Sequence, residues 1–181
     1  EAICRVSTLF PCLNERKMMK YFYYLHRDAR DPLHNDDAIY TPNVVVFKSD
    51  TSYPRLLSED KWYEVNVITS AAPNLRQNPS NSMNSGDGYK RAEITKENLL
   101  VLLEKRIHRI LEISEKKGND VVILGAFGCG AFSNPPDVVA KAMKNEVEKF
   151  RKSFKTIEFA VYCPPYDDTN YRVFKRVLET I

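Results

Sequence analysis

The sequence predicts an α/β fold in a single domain. Short apolar, β-branched runs alternate with longer segments in which apolar residues recur at helical spacing. The strand runs are apolar throughout, which favours a mixed, largely parallel sheet with helices on both faces, and therefore three layers in the order α/β/α. A chain of 181 residues, 43% of them hydrophobic, is long enough to bury one core.

The N-terminal part is predicted to be helical up to a polar turn region. Apolar residues near helical spacing predict a helix over residues 2–9 that Pro11 stops, and Asn14 is expected to cap a second helix. Residues 27–37 are rich in Asp, His, Pro and Asn, which favour turns. This segment is therefore expected to be a loop that leads into the first strand.

Two strands are expected next, at residues 44–47 and 63–70, because both runs are rich in β-branched and aromatic residues. Residues 76–88 are rich in Asn, Ser, Gly and Pro, and this length of irregular chain is typical of a functional or a mobile loop. The segment could be a mobile lid or a surface loop that is not attached to the rest of the fold, and its composition favours the surface loop.

The second half predicts a long helix followed by a βαβ unit. Thr95 is expected to open the helix and Gly118 to follow its end, because one apolar stripe lies between them and glycine is common after a helix C-terminus. The remaining elements are expected in the order strand, helix, strand, helix, at residues 121–124, 135–150, 157–162 and 171–178.

Composition argues against several classes of function. The chain has 27 basic and 24 acidic residues, and a net charge of +3 does not indicate direct nucleic-acid binding. No apolar stretch has membrane-spanning length and no signal-like segment leads the chain, so no membrane partner is expected. The four cysteines have neither metal-site nor disulfide-framework spacing, which predicts a reducing, cytoplasmic environment and no metal.

The strongest functional signal is the segment VVILGAFGCGAFSNPP, in which an apolar strand leads into glycines and then into a helix that begins with two prolines. Gly125, Gly128 and Gly130 have no Cβ, so their backbone can approach a ligand and present successive N–H groups to an anion. Pro135 and Pro136 suit a helix start, where unpaired N–H groups and the helix dipole favour a negative ligand. The residues therefore predict a phosphate-binding loop.

Three different roles for these glycines are less favoured. A nucleotide-hydrolase P-loop is disfavoured because no Lys-Ser/Thr pair follows the glycines, and a nicotinamide-dinucleotide fingerprint fits poorly because Ser133 stands where a third glycine belongs. A nicotinamide-dependent oxidoreductase is therefore a minor alternative. A purely structural alternative is that the glycines only turn the chain beneath a packed helix.

The side chains of this loop allow further expectations. Phe127 completes the apolar run and is expected in the core, whereas Phe132 is expected either in the core or against a sugar ring. Cys129 lies close to a helix start, where a thiolate nucleophile is conceivable. No histidine has a sequence-readable link to it, so a nucleophilic role is not favoured.

The segment GAFGCGAFSNPP resembles the second phosphate loop of the microbial poly(ADP-ribose) glycohydrolases, members of the macrodomain superfamily. Supporting matches are EAICRVSTLFPCL, YTPNVVVF, VITSAAPN and DTNYRVF, so the similarity covers nearly all 181 residues and implies one macrodomain-like core. The triple-glycine stretch, the glutamine and the first glutamate of the family signature are missing from the sequence. The core is therefore expected to be N-terminally incomplete.

The resemblance implies a site for ADP-ribose. Glu1 matches the second glutamate of the family's pair, which serves as the catalytic acid. The implied ligand-binding residues are Gly125, Ala126, Phe127, Gly128, Cys129, Gly130, Ala131, Phe132 and Asn134 in the loop, together with Asn74 and, toward the adenine end, Asn170.

The implied activity is hydrolysis of ribose–ribose glycosidic bonds. Glu1 would protonate the departing ribose oxygen and then activate water, with no metal or other cofactor. The expected partners are ADP-ribose, poly(ADP-ribose) and ADP-ribosylated proteins. The main alternative is a non-catalytic ADP-ribose-binding module that uses the same loop, and the sequence leaves both open.

Overall fold

A computed structural model describes residues 2–82 and 86–179 of the chain. Its elements are α1 (Ala2–Val6), α2 (Leu9–Leu13), α3 (Arg16–Met18), a π-helical turn (Met19–Tyr23), α4 (Tyr24–Ala29), β1 (Ala38–Val46), a 3-10 turn (Glu59–Lys61), β2 (Tyr63–Ser70), α5 (Lys96–Lys116), β3 (Val121–Gly125), α6 (Pro136–Lys149), β4 (Thr156–Ala160) and α7 (Thr169–Leu178). The predicted α/β class is confirmed. Among the helices described, none combines the length and apolarity needed to cross a membrane.

The N-terminal helices differ from the prediction. Pro11 lies inside α2 and does not stop a helix, because it falls in the first turn, where the backbone N–H needs no intrahelical partner. The break occurs instead around Ser7, whose backbone forms a bridge to Val46 of β1. Asn14 ends α2, and Glu15 is the residue that precedes α3. The prediction that Asn14 caps the second helix was therefore wrong.

The strands form two pairs. β1 and β2 are antiparallel, with an irregularity between Thr41 and Val44, whereas β3 and β4 are parallel. Within residues 2–82 and 86–179 the pairs do not join into one sheet. A groove of about 210 Å³ lies between β2 and β3, and Asn66 donates a hydrogen bond of 2.6 Å to Asn119 beside it. The mixed, largely parallel sheet of the prediction is thus not confirmed.

The largest core cluster lies where α5, α6 and α7 pack against β3. Leu103 and Val139 are fully buried, and Phe174 of α7 joins them. On β3 itself Leu124 is buried, whereas Ile123 is 63% exposed. The described helices thus cover one face of this strand, which explains why an apolar run has alternating burial.

Helix α5 begins and ends as the sequence predicts. The Thr95 hydroxyl accepts a hydrogen bond of 3.2 Å from the Asn98 amide, and Gly118 follows the helix with φ +70°. On its buried side α5 carries Arg106, which is 1% exposed. This guanidinium projects toward the turn between α4 and β1, and it thereby connects the main core to one wall of the candidate site.

Candidate ligand-binding site

A cavity of about 1080 Å³ opens where the glycine loop after β3 faces the N-terminal helices. This volume suits a ligand of nucleotide size. Its walls come from the helices before β1, the end of β2, the segment around Asp87 and the glycine loop. The position agrees with the general location of binding crevices at the carboxyl ends of strands in α/β folds.

The glycine loop, residues 125–135, brings backbone N–H groups to this cavity. Bonds within the loop use the amides of Cys129, Ser133 and Asn134. The loop amides without an acceptor among the described residues include those of Gly128, Gly130, Ala131 and Phe132. Because these amides follow one another closely in a loop that lines a cavity, they are suited to an anion with several oxygens.

Gly128 and Gly130 contribute to the loop in different ways. Gly128 has φ +73°, and a Cβ there would collide with the Asn134 side chain and lie 2.8 Å from the Ala72 Cβ. A Cβ on Gly130 would meet nothing within 4 Å. Gly128 is therefore required by the fold, whereas the bare backbone of Gly130 leaves open space for a ligand.

Asn134 holds the loop in this shape. It is 2% exposed, and its Nδ2 donates hydrogen bonds to the Pro73 carbonyl at 2.6 Å and to the Gly128 carbonyl at 3.1 Å. The loop is thus attached to the chain that follows β2. Asn134 acts here through the backbone it supports, and its side chain does not line the cavity.

The structure brings only some of the predicted site residues to the cavity wall. Those that line it are Phe127, Gly128, Gly130, Ala131 and Phe132. Those that do not are Gly125, which borders the groove beside β2, and Ala126, Cys129, Asn134, Asn74 and Asn170. Glu1 lies outside the described residues.

Asn74 is fully buried and supports the segment across the cavity. Its Nδ2 donates to Asp87 Oδ2 at 2.6 Å and to the Pro79 carbonyl at 3.0 Å. Asp87 is 4% exposed and lines the cavity. The described part of residues 76–88 is therefore tied to the cavity wall, unlike the unattached connection that its composition favours.

The Cys129 thiol is protonated at neutral pH. Burial, with a smaller contribution from the negative charge of Asp137, raises the pKa of Cys129 to about 12. A thiol with such a pKa is a poor nucleophile. This agrees with the sequence-based expectation against nucleophilic catalysis by this residue.

Sequence reasoning missed a histidine cluster on the opposite wall, formed by His26 and His34. The His26 ring stacks on Phe22 at 4.4 Å and faces His34 at 5.8 Å between ring centroids. Burial lowers the pKa of His26, and the neighbouring His34 lowers it further, against a smaller opposing effect of Asp37. The concentration of Asp and His within residues 27–37 was the one available signal.

The fold and the loop geometry are those of α/β proteins that hold phosphate groups at the carboxyl end of a strand. Residues 1–49 match the family model described as the catalytic domain of microbial-type PARG, the poly(ADP-ribose) glycohydrolases. The glycine loop lies beyond this match. A search of curated proteins finds no match for the chain.

Solved structures of bacterial poly(ADP-ribose) glycohydrolases match almost the whole chain. The Deinococcus radiodurans enzyme in complex with ADP-ribose has 28% identity and a TM-score of 0.79, over 99% of this chain and 66% of that one. The Thermomonospora curvata enzyme has 30% identity and a TM-score of 0.80, over 98% of this chain and 59% of that one. The structure of its complex with the inhibitor ADP-HPD has 30% identity and a TM-score of 0.79, over 97% of this chain and 60% of that one.

These matches confirm the resemblance to microbial-type poly(ADP-ribose) glycohydrolases that the sequence predicts. The similarity holds in sequence over residues 1–49 and in fold over nearly the whole chain. The chain spans less than two thirds of the length of these solved enzymes.

Proposed function

We propose that this chain is the ADP-ribose-binding core of a poly(ADP-ribose) glycohydrolase, folded as one domain over residues 1–181. The observation that carries the proposal is the row of glycine-loop amides that have no acceptor among the described residues, in a loop that lines a cavity of about 1080 Å³. A diphosphate is the group of ADP-ribose that such a row suits best. The D. radiodurans enzyme, which has the same fold, is solved with ADP-ribose bound.

The proposed ligand contacts follow the predicted set. Direct contacts, mostly through the backbone, are proposed for the members that line the cavity, which are Phe127, Gly128, Gly130, Ala131 and Phe132. The other members, Gly125, Ala126, Cys129 and Asn134 in the loop and Asn74 and Asn170 beyond it, are proposed to complete the site around them. Arg27 lines the opposite wall and is exposed, so its charge can offset that of a diphosphate. Asn74 and Asn134 contribute indirectly, because their side chains hold the cavity walls.

The proposed chemistry requires one carboxyl group. Cleavage of a ribose–ribose bond proceeds through an oxocarbenium-like state, in which the leaving oxygen must gain a proton and water must then lose one. Glu1 is proposed for both steps, in line with the family match over residues 1–49. The loop contributes by fixing the diphosphate, so that the reacting ribose is held at a set distance from the carboxyl group.

Substitution of Gly130 tests the binding proposal. Gly130→Val is expected to fold normally, because a Cβ there meets open space, and to weaken ADP-ribose binding at least tenfold, because the side chain blocks approach to the loop amides. Isothermal titration calorimetry measures the affinity. Ala160→Val, which introduces the same side chain at an exposed position outside the cavity, is the control. Unchanged affinity in a folded Gly130→Val protein contradicts the proposal.

Hydrolysis of labelled poly(ADP-ribose) separates the enzyme from its alternative, a non-catalytic ADP-ribose-binding module. The complete protein is expected to release ADP-ribose, and its Glu1→Ala and Glu1→Gln variants to bind the polymer without cleaving it. Binding with no turnover by the unsubstituted complete protein favours the binding module instead.

We further propose that the two strand pairs are parts of one mixed sheet in the complete protein, and that it resides in the cytoplasm. The groove between β2 and β3 and the exposed Ile123 beside it support the first statement. The exposed, unbridged Cys12 and Cys163 support the second, because thiols persist in reducing compartments.

A further inference from the structure

The cavity has a second polar wall, formed by the turn between α4 and β1. His34 lies in this turn with φ +58°, a conformation that few side chains adopt without cost. Its backbone is held by Arg106, which donates hydrogen bonds to the carbonyls of Leu33 at 3.0 Å and of His34 at 3.2 Å. The turn is therefore built to keep His34 in place.

The His34 ring is also fixed on its sides. Its Nε2 lies 3.7 Å from Asp87 Oδ1, and Asp87 itself accepts a hydrogen bond from the buried Asn74. One neighbouring ring is that of His26, at 5.8 Å between centroids, and Phe132 of the glycine loop lies at 6.5 Å. His34 thus lies between the N-terminal helices and the proposed phosphate loop.

One nitrogen of this ring has no partner. The His34 side chain is 8% exposed and lines the cavity, and its Nδ1 is buried with no hydrogen-bond partner in the described part of the protein. A buried polar atom without a partner is unfavourable, so such an atom in a cavity wall indicates a missing ligand group. The carboxylate beside Nε2 favours a proton on that nitrogen, which leaves Nδ1 as an acceptor.

We propose that His34 is a ligand-binding residue whose Nδ1 accepts a hydrogen bond from a ribose hydroxyl of the bound ligand. This inference rests on the proposed binding of ADP-ribose. In that ligand each ribose is bonded directly to the diphosphate, whereas the adenine amino group lies farther away. A residue next to Phe132 of the phosphate loop is therefore within reach of a ribose.

Two substitutions distinguish a role of the His34 Nδ1 atom in binding from an effect on the backbone of the turn. His34→Gly removes the ring, and glycine adopts positive φ without strain, so the turn is preserved. His34→Asn places an amide oxygen near the position of Nδ1, and asparagine tolerates the same backbone conformation. His108→Asn, a histidine on α5 away from the cavity, is the control.

Calorimetric titrations use pyrophosphate, inosine diphosphate, ADP and ADP-ribose. His34→Gly is expected to weaken ADP-ribose binding about tenfold, the loss typical of one buried hydrogen bond, and His34→Asn to recover most of it. The control is expected to change no affinity more than about twofold. If only ADP-ribose loses affinity, the hydrogen bond comes from the distal ribose. If ADP-ribose, ADP and inosine diphosphate lose affinity equally, it comes from the ribose beside the base. Both results support the proposal.

Four results overturn the proposal. Weaker pyrophosphate binding in His34→Gly identifies a phosphate contact, and a loss for ADP without one for inosine diphosphate identifies the adenine amino group. Unchanged ADP-ribose affinity in His34→Gly, or no recovery in His34→Asn, removes the role of Nδ1. If the unsubstituted chain does not bind ADP-ribose at all, it is the proposed function that fails, so the two failures are distinguishable.

Discussion

Two loops face each other across the cavity, and they receive different support from the rest of the fold. The glycine loop, residues 125–135, is shaped mostly by bonds among its own residues, such as that from the Asn134 amide to the Gly128 carbonyl. The histidine turn, residues 30–37, receives Arg106 from α5, about seventy positions along the chain. Both loops have other bonds as well, such as those from Asn134 to the Pro73 carbonyl and from the His34 amide to the Asp31 carbonyl. The difference is that the histidine turn receives a buried, charged side chain from the core helix α5.

Both loops contain residues with positive φ. In the glycine loop Gly128 adopts φ +73° and Ser133 φ +57°, and in the histidine turn Arg30 and His34 adopt φ +50° and +58°. Strained non-glycine residues persist where the surrounding structure holds them, and they cluster at functional sites. The histidine turn therefore resembles the glycine loop in holding side-chain-bearing residues in a costly conformation beside the cavity.

The largest expected effect comes from removing the support of the histidine turn. Arg106→Met leaves buried carbonyls without their donor and Asp36 with Lys105 alone, and we expect it to lower the free energy of unfolding by about 3 kcal/mol. Urea unfolding measures this loss. Arg109→Met on the same helix removes an exposed pair with Glu112 and is expected to cost less than about 0.5 kcal/mol. Similar losses in the two variants contradict a special role for Arg106.

A smaller effect is expected from Gly128 in the other loop. Gly128→Ala combines positive φ with a collision against Asn134, so we expect a loss of about 2 kcal/mol. Gly118→Ala is a matched control, because it has φ +70° and open space around the new Cβ, and about 1 kcal/mol is expected. Thermal unfolding compares them. Equal losses show that the packing against Asn134 is unimportant.

Acid is expected to weaken the histidine turn slightly. Burial alone would raise the pKa of Asp36, but hydrogen bonds and charges from Lys105 and Arg106 bring it below its usual value. The stabilisation by ionised Asp36 is therefore fully present above the pKa that Asp36 has in the unfolded chain. It is lost as pH falls through the lower pKa of Asp36 in the folded protein. Because Asp36 is 27% exposed, we expect less than about 1 kcal/mol.

Asp36→Asn checks this expectation. The difference in unfolding free energy between the unsubstituted protein and this variant is expected to shrink between pH 6 and pH 3, as urea titrations at several pH values would show. A difference that stays constant over that range means that the Asp36 charge does not stabilise the turn.

The smallest effect concerns the Cys129 side chain, because the glycine loop acts through its backbone. With a pKa of about 12, only about one thiol in ten thousand is ionised at pH 8. Alkylation by iodoacetamide, followed by mass spectrometry, is therefore expected to modify the exposed Cys163 long before Cys129. If Cys129 and Cys163 are modified at the same rate, the conclusion that the Cys129 thiol is enclosed and protonated is wrong.

Sequence patterns predicted the second half of the molecule better than the first. The cap at Thr95, the glycine at 118 and the order β3, α6, β4, α7 follow from local spacing, and the structure has all of them. The predicted stop at Pro11 failed because a proline is also compatible with a first helical turn. Local signals of this kind leave the position of a helix boundary open.

For the cavity, the sequence predicted one of the two facing walls, the glycine loop. The glycines and prolines of residues 125–136 predict a phosphate loop because backbone freedom is a property of the residue itself. Nothing local marks His34, Asp87 or Asn74 as neighbours, since they come together only when α5 places Arg106 under the histidine turn. Besides the Asp and His of residues 27–37, a charged residue within the apolar stripe of α5 was a trace of this arrangement.

By itself, then, the sequence determined the α/β class, the family resemblance and the loop whose amides face the cavity, because glycine content, apolar spacing and helix-start residues act over a few positions. The tertiary structure alone decided which loop residues line the cavity and which ones only support it. It also placed opposite them a histidine whose Nδ1 has no partner among the described residues. Those outcomes depend on contacts between distant segments, whose partners are chosen by packing and by the need to pair buried polar groups.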